Sequence, residues 1–180
     1  MVYCFLADGF EEVEAIAPID MLRRAGVEVK TVGVTGEVID GRHGIRVIPD
    51  IDIKDITLDE SLEAVILPGG LPGATNLEES AEVQNAIDFA NANGKLICAI
   101  CAAPQILGHK GLLDGKEAIA YPGFEDELKG AIISENYVVR DGNFITAKGA
   151  GVATEFGLEI VAALKDKALA DEIGKAILMK

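Results

Sequence analysis

The ten residues Lys95-Leu-Ile-Cys-Ala-Ile-Cys-Ala-Ala-Pro104 decide how this chain is read. Lys95 to Ile100 is a short apolar run of the kind buried on both faces of a parallel sheet. Pro104 suits the first turn of a helix, and the small Ala102 and Ala103 keep the intervening turn tight. The same strand–turn–helix logic recurs on either side. Val2 to Ala7 is another apolar run, followed by a helical pattern from Glu11 to Ala25 that stops at Gly26. Val27 to Val34 alternates as a strand does, and Ile45, Val47 and Ile48 suggest a further short strand closed by Pro49-Asp50. Ala64 to Leu67 runs into Pro68-Gly-Gly-Leu-Pro-Gly73, and an amphipathic helix from Glu79 to Ala92 ends at Gly94. Beyond the central stretch, Glu117 to Ala120 is a short apolar segment. Asp141-Gly142 marks a hairpin between Tyr137–Arg140 and Asn143–Thr146, and Gly151–Leu164 and Leu169–Leu178 are terminal helices. Alternating strands and helices predict one α/β domain over residues 1–180, with a mostly parallel sheet covered by helices on both faces.

Composition agrees and narrows the function. With 49% apolar residues the chain can bury a substantial core, and no apolar run approaches the roughly 18 residues of a membrane span. Sixteen basic against thirty acidic side chains give a formal charge of −14, which repels phosphate backbones, so nucleic acid and anionic membranes are expected to be poor partners. The N-terminus reads as a strand rather than a signal peptide, and three cysteines do not suggest a disulfide framework; the expected compartment is the cytoplasm.

In open α/β sheets ligands gather at the carboxyl ends of the strands. Three such ends carry unusual residues: Ala7-Asp-Gly-Phe10, Leu67-Pro-Gly-Gly70 and Ile100-Cys-Ala-Ala-Pro104. Cys101, between strand and helix, would present its sulfur at a helix N-terminus, where the dipole favours a thiolate. This is the outline of a nucleophile elbow; the alternative is a core cysteine. Cys98 lies inside the strand, so Cys98-x-x-Cys101 does not place two sulfurs together as a redox pair would, and no second Cys/His pair completes a metal site. Glu14 is the only charge between Val13 and Ile19, and its helical neighbours Ala17, Pro18 and Met21 are apolar. Such a carboxyl is partly desolvated and its acid form favoured, and Pro18 should loosen the turn at Glu14. Glu11 and Glu12 better fit surface carboxylates of the first turn. Gly70 and Ala102 could offer backbone N–H groups to an oxyanion, or simply form turns. His109 lies eight residues past Cys101, too far along a helix to reach the sulfur, whereas His43 sits in a turn that could lean over the site. Gly149-Ala-Gly151 is only a fragment of a dinucleotide fingerprint and is discounted.

Together, Ala7-Asp-Gly-Phe-Glu-Glu-Val-Glu14, Pro18-Ile-Asp-Met-Leu-Arg-Arg-Ala-Gly26, Leu67-Pro-Gly-Gly70, Ala99-Ile-Cys-Ala-Ala-Pro104 and Glu155-Phe-Gly-Leu158 make the chain resemble the ThiJ/PfpI superfamily, in its branch of parkinsonism-associated deglycases and their bacterial relatives. The resemblance implies a flavodoxin-like sandwich, usually a homodimer, in which Cys101 is a nucleophile of low pKa, Glu14 its hydrogen-bonding acid, and the N–H groups of Gly70 and Ala102 an oxyanion pocket. It also implies Arg24 near the pocket or the dimer interface and His43 at the pocket mouth. Tyr121 stands where that branch has a histidine, and Ala102 stands where the protease-like branch has one, which disfavours peptidase chemistry. The expected activity is a glyoxalase or deglycase reaction on a small aldehyde or glycated substrate, needing no metal and no cofactor. The alternative is an oxidative-stress sensor or chaperone that works through sulfinic acid formation at Cys101.

Overall fold

The computed structural model describes residues 1–179. Its strands are β1 (Val2–Leu6), β2 (Val29–Gly33), β3 (Ile39–Asp40), β4 (Arg46–Val47), β5 (Ile51–Asp52), β6 (Ala64–Leu67), β7 (Leu96–Ile100), β8 (Glu117–Ala118), β9 (Ile132–Ile133), β10 (Val138–Asp141) and β11 (Phe144–Ala147). The helices are α1 (Glu12–Arg24), α2 (Gly73–Glu79), α3 (Ala81–Ala92), α4 (Pro104–His109), α5 (Ala153–Leu164) and α6 (Lys167–Ala176). Seven strands form the central sheet in the order β10-β11-β7-β6-β1-β2-β5, all parallel except β10, which pairs antiparallel with β11 through the expected hairpin. This is the flavodoxin-like α/β arrangement predicted from the sequence.

Period-two alternation divides the core. Tyr3, Phe5, Val65, Leu67, Ile97 and Ala99 point to one side, where α2, α3 and α4 cover them with Leu77, Ile87 and Leu107. Val2, Cys4, Leu6, Ala64, Ile66, Cys98 and Ile100 point to the other, beneath α1, α5 and α6. Each face removes a layer of apolar side chains from water, at roughly 25 cal/mol per Å². Cys4 and Cys98 are core residues, both with no exposed surface.

The order of the strands fixes where a ligand can sit. The chain leaves β1 to build β2 and β5 on one side, then crosses to β6 and β7 on the other, so the topological switch lies between β1 and β6. The carboxyl ends of β11, β7, β6 and β1 are neighbours there. They release Lys148–Ala150, Cys101, Pro68–Gly70 and Ala7–Phe10 at one edge.

Some elements escape the sequence pattern. Ser80 caps α3 by accepting from the Val83 N–H at 3.3 Å, and the Gly73–Glu79 segment before it forms a separate helix. The strand expected around residues 45–48 is only the two residues of β4, paired with β3 outside the main sheet. α1 is continuous through Pro18. It lies so close to α5 that a Cβ on Gly157 would come within 2.7 Å of the Pro18 Cα. Among the described residues no helix is long and apolar enough to cross a membrane.

Candidate active site

Cys101 follows β7 directly and adopts φ 64°, the left-handed region that a residue with a Cβ occupies only at a cost. Two backbone hydrogen bonds hold it there: its N–H donates to the Ala147 carbonyl at 2.9 Å, and its carbonyl accepts from the Tyr121 N–H at 2.8 Å. The resulting elbow turns a partly buried sulfur out of the core. α4 begins at Pro104 as expected but is only six residues long.

Glu14 reaches the same point from the first turn of α1. It is 1% exposed. One carboxyl oxygen accepts from the Gly69 N–H at 3.1 Å, the Ala150 N–H also donates to the group, and a side-chain hydrogen bond joins it to Cys101. Gly69 makes the approach possible. A Cβ there would lie 2.5 Å from the Glu14 carboxyl and 2.6 Å from the Cys101 Cβ. The N–H groups of Gly70 and Ala102 are aimed at the sulfur itself. The expected oxyanion donors are therefore hydrogen-bond donors to Cys101 in the resting site.

Burial sets the proton affinity of both groups. Desolvation pushes the Glu14 carboxyl up to about 7, helped by the nearby negative charge of Glu11 and opposed by the hydrogen bonds from Cys101, Gly69 and Ala150. Desolvation, then the charge and hydrogen bond of Glu14, push the Cys101 thiol up to about 12, against the lowering effect of the Ala102 and Gly70 N–H groups. These two values belong to the pair: it gives up one proton near 7 and holds the other until about 12. The low thiol pKa expected from the sequence is thus not met while Glu14 is ionised, because two anions cannot share so dry a site. Burial also pushes the thiols of Cys4 and Cys98 up, which leaves them inert.

The pair opens onto a cavity of about 360 Å³ lined by Glu11, Glu14, Arg42, Gly70, Cys101 and Tyr121, with Phe124 and Ala150 at its edge. A strained cysteine elbow, a buried glutamate and a glycine turn thus meet at adjacent strand ends, and the family model described as "DJ-1/PfpI family" matches residues 1–163 of the chain that carries them.

The chain belongs to the DJ-1/PfpI family.

Among curated relatives, "Protein dj-1beta" of Drosophila melanogaster is 37% identical over 177 residues, covering 97% of this chain and 94% of the relative. A protein named as a deglycase from Pyrococcus abyssi is 34% identical over 165 residues, covering 88% and 96%. Among solved structures, oxidized DJ-1 of Toxoplasma gondii superposes with a TM-score of 0.94 at 36% identity, covering 98% of this chain and 97% of the other.

In this DJ-1/PfpI chain, Cys101, Glu14, Gly70, Ala102 and Tyr121 line one cavity. Arg24 and His43 do not line the cavity. Arg24 lies ten residues beyond Glu14, about 15 Å along α1, and pairs with Asp20 at 2.9 Å. His43 turns outward, where its Nδ1 meets the Glu12 carboxylate at 3.0 Å. Its neighbour Arg42 enters instead, because the Arg42 N–H is tied to the Phe10 carbonyl at 2.9 Å. The Gly41-Arg-His-Gly44 turn was legible, but which of its side chains faces inward depends on that long-range bond.

Glu12 is also not a surface carboxylate. It is 5% exposed; its Oε1 accepts from the His43 N–H at 2.8 Å and the Ile45 N–H at 3.4 Å while its Oε2 meets the His43 ring, clasping the 41–45 turn against α1. Glu11, Glu12 and His43 bring three potential metal-ligand atoms within 4.8 Å of one another. Glu12 already spends both oxygens on the turn, which accounts for the cluster without an ion. His109, remote from the sulfur, bridges Glu78 and Glu127 at 2.5 and 2.9 Å. The discounted Gly149-Ala-Gly151 belongs to the site after all, through the Ala150 N–H on Glu14.

A buried acid whose folded pKa exceeds its ordinary 4.5 keeps more protons in the folded than in the unfolded state, so stability falls as pH rises from about 4.5 through about 7. Denaturant titrations of wild type and Glu14→Gln should therefore diverge with pH. Between those limits the balance should shift toward the variant by on the order of 3 kcal/mol. A difference that stays constant across pH would contradict this assignment.

Proposed function

We propose that the protein is a cysteine-dependent, cofactor-free glyoxalase of the deglycase type, acting on small 2-oxoaldehydes and on early adducts of such aldehydes with amines. The observation that carries this reading is the pairing of the buried Glu14 carboxyl with the Cys101 sulfur in the wall of one cavity. A carboxylate that titrates near 7 is well matched to general-base work at neutral pH.

As the sulfur attacks the aldehyde carbon, a C–S bond forms and the thiol proton passes to Glu14. The carbonyl electron pair moves onto oxygen, which takes a proton and completes a hemithioacetal. Glu14, again ionised, removes the proton from that carbon; the freed electron pair forms an enediolate, and the proton returns to the former keto carbon while the hemithioacetal O–H proton passes to the former keto oxygen. A thioester beside a carbinol results. Water cleaves the C–S bond, releasing a 2-hydroxy acid and the thiol. The sum is substrate plus water, with no external oxidant or reductant. For a glycated amine, the C–S bond replaces a C–N bond and the departing nitrogen takes the proton from Glu14. The deglycase name of the Pyrococcus abyssi relative agrees with this class of substrate.

Tyr121 has no basic nitrogen to offer, and Ala102 stands beside the sulfur, so the reading excludes a histidine-assisted peptidase.

The same proposal includes a homodimer. Val13, Ile16, Ile45 and Ile48 are 45–78% exposed, and Ile16, Val47 and Ile48 flank one cleft on the outer side of α1. An apolar patch of this kind calls for a cover, and a second copy supplies one. Arg24 lies on the same helix and would approach the interface rather than the cavity.

Two measurements follow. Lactate formation from methylglyoxal should show kcat/KM rising with pH through about 7. Glu14→Gln should lose that limb and roughly 10²- to 10⁴-fold in rate, and Cys101→Ser should lose activity altogether; full activity in Cys101→Ser would sink the reading. In sedimentation equilibrium the wild type should be a dimer and Ile48→Glu a monomer, whereas a monomeric wild type at the same concentration would remove the dimer.

A further inference from the structure

Beside the Cys101 cavity lies a larger one, of about 560 Å³, whose lining includes Tyr121, Tyr137, Lys148, Gly149 and Ala150. Tyr121 and Ala150 line both, so the two spaces are neighbours, with Cys101 in the smaller one. We propose that this second cavity is a subsite for an aromatic ring carried by the substrate's keto carbon, which would make aryl 2-oxoaldehydes better substrates than methylglyoxal. The proposal rests on the glyoxalase reading for its reaction but not for its binding preference.

The rings themselves are the first argument. Tyr121 is 51% exposed and Tyr137 60%, whereas Tyr3, the remaining tyrosine, is 2% exposed in the core. Large aromatic surfaces left in water at the mouth of a reactive site are available for offset or edge-to-face contact with a planar group.

Each ring is also held in place. Lys148 Nζ sits 4.8 Å from the Tyr137 ring centroid and covers part of it, while the Lys148 N–H donates to the Tyr137 carbonyl at 2.9 Å. Tyr121 is registered to the nucleophile through its own N–H on the Cys101 carbonyl. Its ring rests on Gly149, where a Cβ would come within 3.3 Å of Tyr121 Cδ2. The same Cβ would be 3.9 Å from a Glu14 carboxyl oxygen, so Gly149 lies close to both the carboxyl and the ring.

The chemistry of the occupant follows. A substrate's aldehyde carbon must lie at the sulfur, and its keto carbon must stay within reach of Glu14. The substituent on the keto carbon is then directed along the side of Tyr121. A methyl group would leave the tyrosine faces wet. A phenyl ring would extend past Tyr121 toward Tyr137 and cover both.

The test uses the products such substrates would give, so that the carboxylate and hydroxyl are common to both probes. Binding of mandelate and of lactate to the wild-type chain is measured by following the tyrosine ring resonances in NMR titrations. Mandelate should bind about tenfold tighter than lactate, as expected for two aromatic contacts, and should shift the rings of Tyr121 and Tyr137 but not Tyr3. Tyr137→Ala should abolish most of the preference and Tyr137→Phe should retain it, which separates ring contact from the hydroxyl and from any general loss of structure. Equal affinities, no shift of either ring at the highest ligand concentration, or a preference indifferent to Tyr137→Ala would overturn the proposal. Because these readouts need no turnover, a preference for mandelate in a protein that produces no lactate from methylglyoxal would discard the enzymatic reading and leave the subsite standing.

Discussion

Two acids in a space too dry to hold two negative charges are the constraint on which the rest of this molecule depends. Glu14 and Cys101 arrive from different strand ends and share a single proton between about 7 and about 12. In water each would titrate independently. Here burial raises both, and the charge on one opposes ionisation of the other. The surrounding geometry keeps this pair together: the left-handed backbone of Cys101, the missing side chain at Gly69, and the close packing of α1 on α5 at Gly157. The first two are not features of core packing alone. Gly69 lets a carboxyl approach the sulfur, and the elbow holds that sulfur in a strained backbone, while Gly157 lets the helix that carries Glu14 settle onto α5.

The switch point of the sheet explains why such a pair can exist at all. Parallel strands buried on both faces deliver their following loops to one edge, and four adjacent strands do so here. Backbone N–H groups that have left the ladder are then free to face the site: Gly69 and Ala150 on the carboxyl, Gly70 and Ala102 on the sulfur. The Glu14 carboxyl and the Cys101 sulfur are thus solvated by peptide dipoles instead of water. Such an environment needs little reorganisation as charge moves between oxygen and sulfur.

Much of this was legible in the sequence because it is local. The apolar runs of β1, β6 and β7, the Asp141-Gly142 hairpin and the elbow at Cys101 each follow from a few consecutive residues. Glu14 stood out as a lone charge in an apolar stripe. What escaped was set by contacts distant in the chain. The Phe10 carbonyl decides that Arg42 rather than His43 faces the cavity. Glu12 looked like an ordinary first-turn carboxylate until the 41–45 turn folded over it. Gly149–Ala150 matched the wrong motif, and its real partner is Glu14, more than a hundred residues earlier. The thiol is the most instructive case. A helix N-terminus suggested a low pKa, but α4 is short, and burial first and the Glu14 charge second push the thiol the other way.

The most direct test of this account is the pH dependence of Cys101 alkylation by iodoacetamide, in wild type and in Glu14→Gln, with Cys101→Ser as the blank. The shared-proton account predicts a step in reactivity near 7 in the wild type. In the variant that step should vanish, leaving one ionisation well above 7 but below about 12, because burial remains and the neighbouring charge is gone. A step near 7 that survives in Glu14→Gln would show that the carboxyl does not govern the sulfur, and the central claim would fall.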